Sequence, residues 1–193
     1  MSQEQKEQEE SSGLTERLLA SRVVIISGAV DSKLASKVIQ QMILLDQADA
    51  EKPITIMINS PGGEVHSGFA IYDTARFLSA PVVTVVMGLA ASMGSILALV
   101  APKGSRYALP NAKFLIHQPL LMGYQGRATD MEIQAREILR DRDHIIRLYA
   151  EETGRKPEAI AKDIDLDKWM TSQEALEYGL IDKIIVRRSE IPR

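Results

Sequence analysis

Val82-Val83-Thr84-Val85-Val86-Met87-Gly88-Leu89-Ala90-Ala91-Ser92-Met93-Gly94-Ser95-Ile96-Leu97-Ala98-Leu99-Val100 carries no charge from end to end, and Pro81 and Pro102 bracket it. The run is long enough to cross a bilayer. Its internal order argues for something else. A β-branched stretch comes first, small residues around Gly88, Ser92, Gly94 and Ser95 follow, and the end is apolar again. That order reads as a buried strand, a tight turn and a buried helix, with no membrane span.

The same alternation extends outward. Upstream, Val23-Ile26 reads as a strand. Asp31 can cap a helix to about Gln47 with Leu34, Val38, Ile39, Met42 and Leu45 on one face. Pro53 opens a second strand, Ile54-Ile58. Asn59-Ser60-Pro61-Gly62-Gly63 is a turn by composition, and a helix follows to about Leu78. Downstream, Arg106-Leu109 and Phe114-His117 fit strands. Thr129-Asp130-Met131-Glu132 fits a capping box opening a long helix to about Thr153, stopped by Gly154. Thr171-Ser172-Gln173-Glu174 fits a second box before a short helix ended by Gly179, and Lys183-Val186 fits a last strand. Strands alternating with helices imply an α/β fold with a parallel sheet.

Composition bounds the function. A chain of 193 residues, 45% hydrophobic, suits one globular domain. The first ten residues hold four glutamates against one lysine, which accounts for the whole formal net charge of -3. The balanced remainder leaves no electrostatic footprint for nucleic acid. The polar segment 1–17 reads as disordered or flexible and has no apolar core of a secretory signal. There is no cysteine, so thiolate catalysis and cysteine-based zinc sites are excluded. A cytoplasmic location is the expectation.

Three features can carry chemistry. Ser92 sits where a buried strand passes through small residues into a helix, the geometry that presents the nucleophile of α/β-hydrolases. Gly94 is in place for that motif, but Ala90 stands where its leading glycine would be. The alternative is a helix-capping serine. Ser60-Pro61-Gly62-Gly63 also closes a strand ahead of a helix. Its N–H groups could form half of an oxyanion hole, or the segment could be an ordinary turn. No Gly-Lys-Ser/Thr follows, which disfavours a phosphate loop. His117 ends an apolar strand before Pro119. The other histidines, His66 and His144, form no metal pair with it on one helix. A serine nucleophile needs a base, and the base an orienting acid. Asp163, Asp165 and Asp167 alternate ahead of Trp169, and spacing alone does not choose among them. The same run matches a calcium loop only in part, because Lys168 stands where the sharp turn needs glycine.

Several motifs resemble one family. They are Ile58-Asn59-Ser60-Pro61-Gly62-Gly63, Gly88-Leu89-Ala90-Ala91-Ser92-Met93-Gly94, Ile116-His117-Gln118-Pro119, Gly123-Tyr124-Gln125-Gly126 with Ala128-Thr129-Asp130, Ala135-Arg136-Glu137-Ile138-Leu139, and Glu177-Tyr178-Gly179-Leu180. Together, from about Leu18 to Val186, they look like the ClpP family, the proteolytic subunits of the ATP-dependent Clp protease. The resemblance implies a ClpP/crotonase-like fold of repeated β-α-β units. It implies a single peptidase domain over 18–193, with a handle region at about 118–153. It implies a serine endopeptidase with Ser92 as nucleophile, His117 as base, Asp167 as acid, and the N–H groups of Gly63 and Met93 as oxyanion hole. It further implies two stacked heptameric rings, a tetradecamer, enclosing a chamber. An AAA+ unfoldase such as ClpX, ClpA or ClpC would feed unfolded proteins into it. No cofactor or metal is implied in the subunit itself, since the unfoldase uses the ATP.

The chain also departs from the family pattern. Gly13-Leu14-Thr15-Glu16-Arg17-Leu18-Leu19 is shorter than the segment that forms the family's axial loops. Thr55 and Met57 replace aromatics of its docking pocket, where Tyr107 stays aromatic. Leu120-Leu121-Met122 adds one residue before Gly123. These departures point toward a variant paralogue that assembles with a second ClpP-type subunit. Two alternatives stay open beside the main reading: a regulatory or structural ring member active only with that second subunit, and a crotonase-type enzyme acting on acyl-CoA.

Overall fold

The computed structural model describes residues 13–120 and 126–191. The extra residue expected within Leu120-Met122 and the glycine-rich Gly123-Gln125 therefore lie largely outside the described residues, as does the tail 1–12. Of the segment expected to be flexible, residues 13–17 belong to a helix, α1 (residues 13–20).

Strands β1 (Val23–Ser27), β2 (Ile54–Ser60), β3 (Val82–Ala91) and β4 (Arg106–Ala108) lie side by side in parallel, and β7 (Lys183–Ile184) closes the far edge beside β4. The registers pair Val23 with Thr55, Ile54 with Val82, and Thr84 with Arg106. Helices α2 (Ser32–Ala48) and α3 (Val65–Phe77) cover one face. Asp31 caps α2, its carboxylate accepting from the Leu34 N–H at 2.7 Å, and Val38, Met42 and Leu45 are buried as the periodicity requires. Ile54, Ile56, Ile58, Val86, Ala90 and Phe114 complete the same core.

β3 is longer than its β-branched run foretells and serves two neighbours on one edge. Thr84–Val86 pair with β4, and Leu89–Ala91 pair with β5 (Lys113–Ile116). The register against β2 slips between Ile58 and Ser60. There Asn59 accepts the Leu89 N–H at 3.1 Å, and a Cβ on Gly88 would lie 2.8 Å from that same side-chain oxygen. The slip carries the end of β3 past the rest of the sheet.

Three elements differ from the sequence reading. The helix after Ser92 is a single turn, α4 (Met93–Leu97). Beyond it Leu99 and Val100 make tighter bonds to the third residue back, and Pro102 cannot continue a helix. The long helix α5 (Ala128–Thr153) starts at Arg127 rather than Thr129. The Asp130 carboxylate accepts the Arg127 N–H and is held by its guanidinium at 2.8 and 3.0 Å. A strand, β6 (Lys168–Thr171), occupies the stretch after the aspartates and pairs antiparallel with β5. The sheet is thus mostly, not wholly, parallel. Between them stands α6 (Pro157–Asp163). The remaining helix, α7 (Ser172–Tyr178), has the expected capping box, Glu174 accepting the Thr171 N–H at 2.7 Å and Thr171 accepting that of Glu174 at 3.2 Å.

Candidate active site

The carboxyl ends of β2, β3 and β5 meet at one edge of the sheet. Ser92 leaves β3 with φ 53 and ψ -125. Arg22 is the only other described non-glycine residue with positive φ, and such a conformation costs roughly 1–3 kcal/mol unless its surroundings impose it. Here they do. The Ser92 N–H still pairs with the Leu115 carbonyl at 2.9 Å, as a strand residue would. Its carbonyl has already turned to accept the Ser95 N–H at 2.9 Å and the Ser95 hydroxyl at 2.6 Å. Small neighbours make the turn fit: a Cβ on Gly94 would lie 2.7 Å from the Ser60 carbonyl oxygen. Residues 93–101 are all buried while Ser92 is partly exposed. The chain thus presents one hydroxyl from a closed surface, although Ala90 fills the usual glycine position.

The Gly62-Gly63 turn comes against that hydroxyl. Ser60, fully buried, donates to the Gly28 carbonyl at 2.6 Å and accepts the Gly62 N–H at 3.1 Å, which fixes the turn. Gly62 has φ 90, and a Cβ on it would lie 2.7 Å from the Ser92 Cβ and 2.8 Å from the Met93 nitrogen. No side chain fits between the two turns. Val30 donates to the Gly62 carbonyl at 2.8 Å and accepts the Glu64 N–H at 2.8 Å, anchoring Gly63 on its other side. Among the described residues, no acceptor meets the N–H of Gly63 or of Met93. Met93 is buried and Gly63 exposed, so only the Met93 N–H is an unpaired donor in a packed region, where such groups are rare.

His117 and Asp167 flank the paired ends of β5 and β6. Ile116 lies opposite Lys168 in the antiparallel β5–β6 pair. His117 follows β5 and Asp167 precedes β6, each one residue past that last pair. Beyond it, Gln118 donates its N–H to the Ile164 carbonyl at 2.7 Å and its amide to the Asp165 carbonyl at 3.1 Å, and its amide oxygen accepts from Arg142 at 3.1 Å. His117 is partly exposed and Asp167 exposed. Among the described residues, no hydrogen bond joins the side chains of Ser92, His117 and Asp167.

Of the three alternating aspartates, Asp163 is already engaged, by Lys168 at 2.8 Å and the Tyr178 hydroxyl at 2.8 Å. Burial pushes its carboxyl up, but these two partners more than offset that and hold it below its ordinary 3.8. An ionised Asp163 therefore contributes stability above that ordinary value, and the contribution is lost as pH falls through the lowered one. Asp163→Asn is expected to flatten the acid limb of the stability profile below about pH 4, measured by urea unfolding. An unchanged acid limb would remove Asp163 from this account. Among the described residues, no group of three or more His, Asp or Glu converges as metal ligands.

A family model described as Clp protease matches residues 5–188. The chain belongs to the Clp protease family. It is 53% identical over 175 residues, 90% of its length and 85% of the other protein's, to a protein of Protochlamydia amoebophila named ATP-dependent Clp protease proteolytic subunit 1. It is 46% identical over 179 residues, 93% and 89% of the two lengths, to one of Treponema denticola named ATP-dependent Clp protease proteolytic subunit 2. Against the proteolytic subunit of Ligilactobacillus salivarius the identity is 47% over 175 residues, 91% and 88% of the lengths. Clp protease proteolytic subunits are serine peptidases, and the mostly parallel sheet with seven helices is consistent with the ClpP/crotonase-like fold.

Other surfaces of this Clp protease chain follow from the same sheet. Its face opposite α2 and α3 carries a second small core of Val83, Val85, Tyr107 and Ile185, with Leu109 and Ile191 against it. Beside it opens a cavity of about 890 Å³ whose walls include Thr55 and Met57. The part of α5 from 128 to 144, about two thirds of its 26 residues, has no buried residue and exposes Met131, Ile133 and Leu139. Among the described residues, no helix is long and apolar enough to cross a membrane. The sequence reading placed Ser60 in the turn and Ser95 among the small residues but missed what their hydroxyls do in shaping the two turns. Three of their four contacts run to main-chain groups, which leave no mark in a sequence.

Proposed function

We propose that the chain is the proteolytic subunit of an ATP-dependent Clp protease and hydrolyses peptide bonds of unfolded proteins. The observation that carries this reading is Ser92, held at positive φ with the Gly62-Gly63 turn packed against it and the buried Met93 N–H unpaired beside it. The Ser92 hydroxyl attacks the substrate carbonyl carbon while His117 takes its proton. Asp167 holds the imidazole in the tautomer that can accept and stabilises the imidazolium. The carbonyl π pair moves to oxygen, and the N–H groups of Gly63 and Met93 receive the oxyanion. Collapse of the tetrahedral adduct breaks the C–N bond, with the His117 proton leaving on the amine. Water, deprotonated by His117, then releases the acyl group from Ser92. The places of His117 and Asp167, each one residue past the last β5–β6 pair, support their pairing, which substrate or assembly tightens.

Residues 18–193 act as one peptidase domain in the cytoplasm without a cofactor of their own. The exposed part of α5 supports its reading as a handle within 118–153 that joins two heptameric rings. The cavity beside Thr55 and Met57 supports a docking pocket for an AAA+ unfoldase, altered from the family's aromatic form. The names of the relatives, which speak of ATP dependence and numbered subunits, support an unfoldase partner and a second paralogue.

Treatment with a fluorophosphonate, followed by intact mass and peptide mapping, is expected to give one adduct, on Ser92. Labelling elsewhere, or none even with an unfoldase and a second ClpP-type subunit present, would remove Ser92 as nucleophile. Labelling only when the second subunit is added would make this chain a dependent ring member.

A further inference from the structure

Two fully buried hydroxyls stand behind the nucleophile. The Ser95 hydroxyl lies 2.6 Å from the Ser92 carbonyl oxygen and 2.7 Å from the Tyr149 hydroxyl. Ser95 is 0% and Tyr149 1% exposed. A serine hydroxyl has one proton, and a carbonyl oxygen can only accept. The Ser95 proton therefore goes to Ser92, and Tyr149 must donate to Ser95. The direction of the chain is fixed: Tyr149 O–H to Ser95 Oγ, Ser95 O–H to Ser92 O.

The Ser92 carbonyl shares a planar trans peptide with the Met93 N–H, and the two point in opposite directions across that plane. Whatever fixes the carbonyl aims the N–H. With the Ser95 N–H at 2.9 Å as well, the carbonyl has both lone pairs engaged and the plane cannot swing. A plane free to swing at a strained residue would turn the Met93 N–H away from the developing oxyanion.

We infer that Ser95 and Tyr149 are positioning residues for the oxyanion hole, locking the 92–93 peptide so that the Met93 N–H faces the substrate oxygen. This inference rests on the catalytic reading of Ser92 and Met93 given above. Tyr149 lies in the buried part of α5, so the relay also ties the seating of that helix to the geometry of the hole. Burial strengthens such a chain, because each bond polarises the next in a low dielectric.

The test uses the full chain in its assembled form, a short fluorogenic peptide, and the variants Ser95→Ala, Tyr149→Phe and the double. Loss of a whole oxyanion donor typically costs about 10²–10³ in kcat. Ser95→Ala leaves the Ser95 N–H in place, so the expected loss is smaller, about tenfold in kcat, with KM within about twofold. Tyr149→Phe is expected to lose about threefold. Since Tyr149 acts through Ser95, the double variant should be no slower than Ser95→Ala. Thermal stability separates positioning from mere structure. Ser95→Ala strands a buried tyrosine hydroxyl, and adding Tyr149→Phe removes it, so the melting temperature should recover in part while kcat does not. A kcat that rises again with the melting temperature would overturn the inference. Fluorophosphonate labelling of the parent separates the two levels of failure. Ser92 labelled with kcat unchanged in Ser95→Ala overturns the inference alone. An unlabelled Ser92 overturns the catalytic reading and the inference with it.

Discussion

Replacing Ser92 with alanine is expected to lower kcat for peptide hydrolysis by about 10⁶ and to leave the fold intact. The size of the loss follows from the division of labour in a triad. In the proposed mechanism His117 and Asp167 have no function without an oxygen to deprotonate, so losing the nucleophile removes the covalent route altogether. What remains is the polarising effect of the Gly63 and Met93 N–H groups on a carbonyl attacked directly by water, roughly 10³–10⁴ over the uncatalysed rate. His117→Ala should cost about as much, and the double variant little more than either, because the groups act as a unit. Alanine suits the site structurally. The Ser92 N–H and carbonyl bonds to Leu115 and Ser95 are main-chain features that survive the change, and alanine bears the same Cβ at the same positive φ. The measurement is steady-state hydrolysis of a short fluorogenic peptide beside circular dichroism of the same preparation. Full activity in a folded Ser92→Ala protein would remove Ser92 from the mechanism.

What could be read from residues alone divides along physical lines. The positions of Ser92, Gly62, Gly63 and His117 at strand ends were legible because glycine, proline and abrupt changes from β-branched to small residues mark where a strand must stop. The parallel core was legible because Ile54, Ile56, Ile58 and the Val82-Val86 run have no polar face to offer. The antiparallel strand β6 was not. It is four residues long, Trp169 is exposed at 56%, and only Met170 is buried, so neither alternation nor an apolar run announces it. Without β6 nothing local separates the three aspartates, and Asp167 is the one that directly precedes this strand. The helix after Ser92 was over-extended because buried small residues look helical whether or not their bonds run to the fourth residue back. The Ser95–Tyr149 bond joins residues 54 apart in sequence with nothing local to pair them. The burial of Arg106 left no mark either: a charge in a short strand normally marks a solvated face, and here it is the most enclosed charge in the described chain.

Arg106→Met is expected to destabilise the protein by about 3–5 kcal/mol, against a typical total of about 5–15, and this is the largest stability change we expect from one substitution. The Arg106 side chain is 1% exposed. Its Nε donates to the Ala101 carbonyl at 2.7 Å and its terminal nitrogen pairs with the Glu152 carboxylate near the end of α5. Glu152 also accepts from Arg76 at 2.8 Å and from the Tyr72 hydroxyl at 3.1 Å. Burial, then the Glu152 charge, push that hydroxyl up to about 12, so it stays a donor at any physiological pH. Arg76 is 43% exposed and water screens it, so once Arg106 is gone a nearly buried carboxylate faces only one hydrated cation. The cost is therefore that of an orphaned charge, more than that of a lost attraction. Urea unfolding should show a lower midpoint with an unchanged slope, and the protein still folded should keep its kcat. The double variant Arg106→Met/Glu152→Leu decides the cause. If it is more stable than Arg106→Met alone, the penalty was the unpaired carboxylate. If the two losses simply add, the guanidinium matters as packing between β4 and α5, and its charge contributes nothing.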